Sequence, residues 1–502
     1  MARKSKWKSK KSNKRRNWNN ARRRQWGRPP VAMSNAARFW KLLEWLLPND
    51  GIFADLKLHG NTSWLPRGLV FLALCWSWSQ NRFVTDAFMD AVEWCQIVVG
   101  GSPLTTYQGF LGALVRWTDP ILSVLWPVLH QRMEQIGGEF WRIDGWVAIA
   151  FDGSRSTAPR TQSNESSFCA PNYGHGKTAK YRKKKSKGMR RKKNEKNKAQ
   201  PQEPQAWITM LWHMGLRLPW MWKLGPSNSS ERIHVMDMMD SGEFPEDTLF
   251  CGDAGFVGYP LWTRIAETGN YFLVRVGANV SLLSGATDCI IRRCKDHVLC
   301  WPRTAREMNL PPLRLRLVKV RIGKQWMWML TNVLDPKRLT SAQIVNFYKL
   351  RWGIEVEFRG LKQTLDCAKL CCRNSARLLA ELNWSILAMA VAELFALKEQ
   401  LPAVNASPHA QRGNPQKRSL ANTMRSIRKC LTHLKDVPKR GDDIQSQLRR
   451  AVTDSYTRKA PKRSRYRPPN PDKKPLGNPK VRKITQKERR QLQALKQHQS
   501  TA

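Results

Sequence analysis

The chain has 502 residues, with 87 lysines and arginines against 38 aspartates and glutamates, so its formal net charge is +49. This length predicts two to four domains, because single hydrophobic cores rarely keep growing beyond about 250–300 residues. Hydrophobic residues make up 41% of the chain and 23 residues are tryptophan, which excludes a wholly disordered protein.

The positive charge is concentrated in three segments. Residues 1–30 carry a net charge of +13, residues 177–198 carry +12 and residues 411–502 carry +20, which leaves only +4 for the rest of the chain. Segments of this kind stay solvated and attract polyanions, most often nucleic acid. The distribution predicts an almost neutral folded body with polycationic segments attached to it.

Membrane insertion, export and nucleotide binding are not expected. The longest uncharged apolar runs, near 68–78 and 382–392, fall short of the roughly 18 residues that a spanning helix needs, and no signal-peptide pattern follows the basic N-terminus. Eleven scattered cysteines indicate reduced thiols in the cytoplasm. GHGKT at 174–178 resembles the end of a phosphate-binding loop, but Pro171 stands where that motif requires glycine, so we expect no nucleotide cofactor.

Composition and hydrophobic periodicity divide the chain into regions. Helical spacing predicts an all-α region after the basic start, strands alternating with helices predict a mixed α/β sheet, and an alternating hairpin interrupts that sheet. The predicted regions are a flexible basic arm (1–34), a helical N-terminal DNA-binding domain (35–138), a catalytic α/β domain (139–276 and 334–400) with a lysine-rich loop (177–204), a β-rich insertion (277–333) and a basic, mostly disordered C-terminal tail (401–502).

One predicted helix, 346–366, carries a charged stripe. Tyr348, Arg351, Glu355 and Lys362 fall within about 60° of one another at about 100° per residue, next to an apolar stripe that can pack on a sheet while the charged stripe faces outward. Glu357 lies roughly opposite Glu355, so the two cannot serve one site. A carboxylate beside a phenol, a guanidinium and an ammonium can hold a metal next to a phosphate, although such a stripe is more often a solvated face.

Two aspartates follow apolar predicted strands. Asp152 follows WVAIAF and Asp253 follows LFCG, and both precede small residues. Aspartate in this position is often only a turn former or a helix cap. If the two strands are neighbours in one sheet, however, the carboxylates meet, and hard oxygen ligands of this kind suit Mg²⁺ or Mn²⁺. By contrast, Asn228 and Glu231 are predicted to form a capping box at a helix start.

The spacing Y-x(2)-R-x(3)-E-x(6)-K, formed by Tyr348, Arg351, Glu355 and Lys362, resembles the signature of the Asp-Asp-Glu (DDE) transposases of the insertion-sequence-four (IS-four) superfamily. The contexts DGS and GDAGF around the two aspartates are similar to the other acidic positions of that family, and the resemblance covers roughly 140–400. It implies a ribonuclease-H-like α/β fold interrupted by a β-rich insertion. It also implies two Mg²⁺ or Mn²⁺ ions held by Asp152, Asp253 and Glu355.

The resemblance further implies cut-and-paste movement of an insertion sequence, by hydrolysis and then transesterification of DNA through hairpin intermediates. Its partners would be double-stranded DNA, as inverted-repeat ends and as target, and a second copy of the chain, in a bacterial cytoplasm at the nucleoid. The residues implied to contact DNA are Tyr348, Arg351 and Lys362 at phosphates and, stacking on a flipped base, Trp301, Trp326 or Trp328.

Four alternatives stay open. The chain could be a non-catalytic DNA-binding protein derived from a transposase, or a metal-dependent nuclease of the same fold that never joins strands. For the lysine-rich block at 177–198, non-specific contact with DNA competes with a role in solubility. For each tryptophan of the alternating hairpin, a place in the core is the commoner outcome.

Overall fold

The computed structural model describes residues 33–58, 62, 64–168, 203–285, 296–323, 325–401, 413–453 and 477–500. The basic arm up to residue 32 and the lysine-rich block at 177–198 lie outside the described residues. What is described is a mixed α/β structure, with one large sheet and many helices around it.

The helices and strands follow one another in chain order. The described residues of the N-terminal part form α1 (Asn35–Leu46), α2 (Pro66–Trp78), α3 (Val84–Val99) and α4 (Tyr107–Gly137). The middle supplies β1 (Val147–Thr157), α5 (Gln162–Phe168), β2 (Gln205–His213), β3 (Leu218–Pro226), α6 (Glu231–Ser241), β4 (Thr248–Gly252), α7 (Tyr259–Glu267), β5 (Tyr271–Val276), β6 (Ser281–Ser284), β7 (His297–Cys300), α8 (Arg303–Glu307), β8 (Leu313–Ile322) and β9 (Gln325–Thr331). The rest supplies α9 (Ser341–Arg351), α10 (Gly353–Gln363), α11 (Ser375–Gln400), α12 (Leu420–Thr432), α13 (Ile444–Arg449), β10 (Lys480–Lys483) and α14 (Gln486–Ser500).

The strands form one ten-stranded sheet in the order β10-β6-β7-β8-β9-β5-β4-β1-β2-β3. β1, β2 and β3 pair antiparallel, whereas β4 runs parallel to both β1 and β5. The apolar start of β1, VAIAF, is fully buried because it lies between two partner strands and is covered by helices. The carboxyl ends of β1's apolar run and of β4 therefore lie side by side.

The region predicted as a β-rich insertion contributes β6 to β9, and these strands belong to the same sheet as the others. β8 and β9 form the predicted hairpin around Gly323, and β9 then pairs with β5. Backbone hydrogen bonds thus continue from the insertion into the central strands. This continuity aligns the insertion rigidly with the strands that carry the two aspartates.

The long helix α11 is the core element that the other helices share. The indole of Trp78 in α2 donates to the carbonyl of Ala388, 3.0 Å away, and the indole of Trp384 donates to the hydroxyl of Thr118 in α4 at 2.9 Å. By length and composition α11 could cross a membrane, but 83% of its apolar stretch is buried inside the fold. The N-terminal helices and α11 therefore belong to one continuous core.

The prediction of a mostly disordered tail after residue 401 was wrong for residues 413–453 and 477–500. Within the first of these ranges, α12 packs with α13 on α11 and α1. Arg418 anchors this segment to the core, because its buried guanidinium binds the Glu393 carboxylate at 2.9 Å and the carbonyl of Leu216 at 2.9 Å. The net positive charge of this segment suggested disorder. Its buried apolar residues are spaced between exposed basic ones, so the composition does not reveal that it folds.

Candidate active site

Asp152 lies inside β1, just after the point where β1 stops pairing with β4 and continues along β2 alone. The prediction placed it at the end of the strand, but β1 continues to Thr157 along β2, and only the pairing with β4 stops, at Ala150 opposite Cys251. The Asp152 carboxylate accepts a hydrogen bond from the Gly153 amide at 2.8 Å. It therefore lies just beyond the last pair between β1 and β4, in the space that we call the groove.

Asp253 follows directly after β4. The last parallel pair joins Ala150 to Cys251, so Asp152 and Asp253 both lie two residues beyond it, and the charge of Asp253 acts on Asp152. Its carboxylate accepts from the Gly255 amide at 2.7 Å and so closes a tight turn. The preceding Gly252 is required, because a Cβ there would overlap the ring of Phe151.

The predicted helix 346–366 is in fact parts of two helices, α9 and α10, separated by Trp352. The Trp352 amide donates to the carbonyl of Lys349 at 3.3 Å, as in a tighter 3₁₀-type turn. The next residue, Gly353, lies against β2, where a Cβ would overlap the indole of Trp212. Glycine at this position allows α10 to approach the sheet and so sets the position of Glu355.

Arg351 connects the helix to the sheet. Its guanidinium lies 3.3 Å from the Asp152 carboxylate and 3.1 Å from that of Glu355, so one cation bridges the two. The Arg351 side chain is almost completely buried and lies over the rings of Tyr348 and Trp352, at 5.5 Å from each ring centre. The charged stripe therefore faces the central strand β1, whereas we predicted that it would face outward.

The remaining stripe residues divide between burial and the groove. Tyr348 is buried, and its ring packs against the guanidinium of Arg351. Lys362 donates to the hydroxyl of Ser154, two residues beyond Asp152, at 2.7 Å. Partial burial lowers the pKa of Lys362. Glu357 points into the core beside Glu393, so the prediction that it does not share a site with Glu355 is confirmed.

A fourth carboxylate, Glu231, reaches the same groove and was missed by the sequence analysis. The predicted capping box is wrong, because Ser230 is the N-cap of α6 and no side chain caps this helix end. The Glu231 carboxylate instead occupies the space where a Cβ of Gly153 would lie. Burial, followed by the charges of Asp152 and Asp253, raises its pKa to about 7. Its place opposite Gly153 depends on the tertiary fold, so no spacing of residues in the sequence indicates it.

Electrostatics also indicate that the acidic groups are close together. Burial raises the pKa of Asp152, and the charges of Asp253 and Glu355 add to this, while the Gly153 amide and Arg351 oppose it. Asp152, Asp253, Glu355 and Glu231 are all hard oxygen donors of the kind that divalent cations prefer. Within the described ranges, no three such side chains already stand in a metal-holding arrangement. The Arg351 guanidinium lies between Asp152 and Glu355, and the chemistry of the four carboxylates suits a divalent cation.

The three tryptophans predicted as candidates for base stacking differ in exposure. Trp301 is buried, and its indole donates to the carbonyl of Leu310 at 2.8 Å, so the stacking prediction is wrong for it. Trp328 is partly buried and donates to Asn478 at 2.9 Å. Trp326 is 61% exposed, with the ammonium of Lys319 over its ring. Trp352, which we did not predict, is 54% exposed beside Arg351.

Comparison with known proteins identifies the class of domain that holds this site. Residues 147–391 match the family model of the transposase DDE domain. The match begins at the first residue of β1, ends inside α11 and includes Asp152, Asp253 and Glu355. It supports a DDE transposase.

Other comparisons add little to this transposase match. No curated protein sequence matches the chain significantly. Among solved structures, the chain is similar to piggyBac transposase in a cryo-EM structure of its synaptic complex with hairpin DNA, with 12% identity over 80% of each chain and a TM-score of 0.35.

Proposed function

We propose that the protein is a divalent-metal-dependent DNA transposase of the IS-four superfamily, which excises an insertion sequence and joins it to target DNA. The observation that carries the proposal is the bridge from Arg351 to Asp152 and Glu355, with Asp253 directly after the neighbouring strand β4. It joins residues about 200 positions apart in the chain into one acidic groove. The order β3-β2-β1-β4-β5 supports a ribonuclease-H-like catalytic half.

The residues of the groove divide the work of phosphoryl transfer. Asp152, Asp253 and Glu355 would hold two Mg²⁺ or Mn²⁺ ions, which when bound stabilise the attacking and leaving oxygens of an in-line displacement. Arg351 and Lys362 supply fixed positive charge at the groove wall, where a DNA phosphate can take the place of their present partners, Asp152 and Ser154. The polycationic segments add salt-sensitive affinity for DNA of any sequence.

The proposal is tested with the purified full chain and a DNA duplex that carries the inverted repeats flanking its gene. We expect nicking at the repeat end in Mg²⁺ or Mn²⁺ and none in EDTA, followed by joined products when target DNA is supplied. Binding without cleavage in either cation would favour the non-catalytic alternative. Free ends that are never joined to target would favour the nuclease.

Replacing Trp326 with alanine should weaken DNA binding without loss of stability. Its exposed indole can stack on an unpaired base, and such stacking contributes about 1–3 kcal/mol per base. We therefore expect the affinity for a hairpin or single-stranded repeat end to fall about 5- to 150-fold, measured by fluorescence anisotropy, with Tm unchanged. The matched variant Trp301→Ala removes a buried indole and should lower Tm instead. Equal DNA affinity of Trp326→Ala and wild type would assign this indole to another role.

A further inference from the structure

Glu231 is placed in the groove by the backbone around it. It is the first residue of α6, and its side chain passes over Gly153, where a Cβ would overlap its Oε1 and lie 2.6 Å from its Cδ. The other oxygen, Oε2, lies 3.9 Å from the position of a Cβ on Gly255, and the Asp253 carboxylate lies 3.0 Å from that same position. The two glycines that follow Asp152 and Asp253 thus leave room for one more carboxylate between them.

Glu231 makes no hydrogen bond and no ion pair with any residue that the structure describes. The nearest guanidinium groups belong to Arg155 and Arg232, and both are engaged elsewhere. Arg232 donates to the carbonyl of Val257 at 2.7 Å, and Arg155 lies over the indole of Trp207 at 4.2 Å. Glu231 is therefore a partly buried carboxylate beside two other acids, and among the described residues no cation is paired with it.

We propose that Glu231 is a fourth ligand of the divalent cation site, shared with Asp152 and Asp253. This inference rests on the proposed function, which places the cations in this groove. Arg351 forms an ion pair with Asp152 and with Glu355, whereas Glu231 and Asp253 form none with the residues that the structure describes. A cation between the two aspartates would satisfy all three carboxylates at once. The main alternative is that Glu231 only stabilises the start of α6 by its charge.

The test measures Mn²⁺ binding to the full chain without DNA, by titration calorimetry, together with the Tm of the metal-free protein. Glu231→Gln should weaken Mn²⁺ about tenfold or more, as expected when a group that supports a metal is lost. It should also raise the metal-free Tm, because repulsion from Asp152 and Asp253 is removed. The control Glu134→Gln removes an exposed carboxylate from α4 and should change neither value.

Gly153→Ala supplies an independent steric test. The new methyl group would push the end of the flexible Glu231 side chain out of the groove, so Mn²⁺ affinity should fall as in Glu231→Gln. In the Glu231→Gln background the same alanine should have little further effect on affinity. Such non-additivity would show that the methyl group acts through the carboxylate.

Two results would overturn the inference, and they differ in what they say of the proposed function. In the first, Asp253→Asn loses Mn²⁺ binding while Glu231→Gln keeps wild-type affinity or lowers the metal-free Tm. Glu231 would then only stabilise the start of α6, and the proposed function would stand. In the second, neither variant alters Mn²⁺ affinity. The cation site would then be absent, and both the inference and the proposed function would fail.

Discussion

Replacing Asp253 with asparagine is expected to abolish DNA cleavage and strand joining while the protein still folds and binds DNA. The asparagine side-chain oxygen can still accept the hydrogen bond from Gly255, so the turn after β4 is preserved. What is lost is the negative charge that would hold a divalent cation. A bound cation stabilises the transition state by several kcal/mol, and each 1.36 kcal/mol is a factor of ten in rate, so we expect a loss of at least about 1,000-fold.

The measurement is the single-turnover nicking rate on a repeat-end duplex, together with DNA affinity and Tm for the same preparation. Asp86→Asn makes the same chemical change at an exposed position on α3 and should cleave at the wild-type rate. Cleavage by Asp253→Asn within tenfold of wild type would remove this aspartate from the catalytic set. It would also leave the parallel alignment of β1 and β4 without a catalytic explanation.

Replacing Gly353 with alanine is expected to damage both stability and catalysis, although the residue itself does no chemistry. The new Cβ would overlap the buried indole of Trp212 and lie 3.1 Å from Arg217. Overpacking of this kind costs about 1–3 kcal/mol, so the Tm should fall by several degrees. Since α10 must shift to relieve the overlap, Glu355 moves with it, and a displacement of about 1 Å can cost about 100-fold in rate.

Gly112→Ala is the matched control for this substitution, because it also adds one methyl group to a helical glycine. No atom lies within 4 Å of a Cβ at this exposed position of α4, so alanine there should stabilise the helix by up to about 1 kcal/mol. Trp212→Phe shortens the ring that meets the new methyl group, so the double variant should be less destabilised than the two single changes added together. Strict additivity, measured by denaturant unfolding, would contradict the proposed overlap.

Some features could be predicted from the sequence because they depend on local patterns. The apolar run before Asp152, the alternating hairpin around Gly323 and the helix carrying Glu355 each have a periodicity that determines the type of element. The opposite placement of Glu355 and Glu357 follows from helix geometry alone. A basic composition does not by itself indicate disorder, since 413–453 is basic overall yet folded.

Other features depend on contacts between residues far apart in the chain. The division of the long helix at Trp352 follows from the approach of Gly353 to β2, and the burial of Arg351 follows from its bridge to Asp152. A helical wheel shows that the charged residues share a face, but it does not show what that face packs against. The inward direction of the stripe was therefore not predictable.

The sequence by itself determined which residue types are available for chemistry, the identity of most elements near the site and the motif that resembles a transposase. Only the tertiary structure decided that Arg351 lies between Asp152 and Glu355, and that Glu231 enters the groove instead of capping its helix. The physical reason is that spacing along one element reflects local backbone geometry. The position of a carboxylate relative to another strand depends on sheet register and on glycines such as Gly153, whose missing side chain leaves the space that Glu231 occupies.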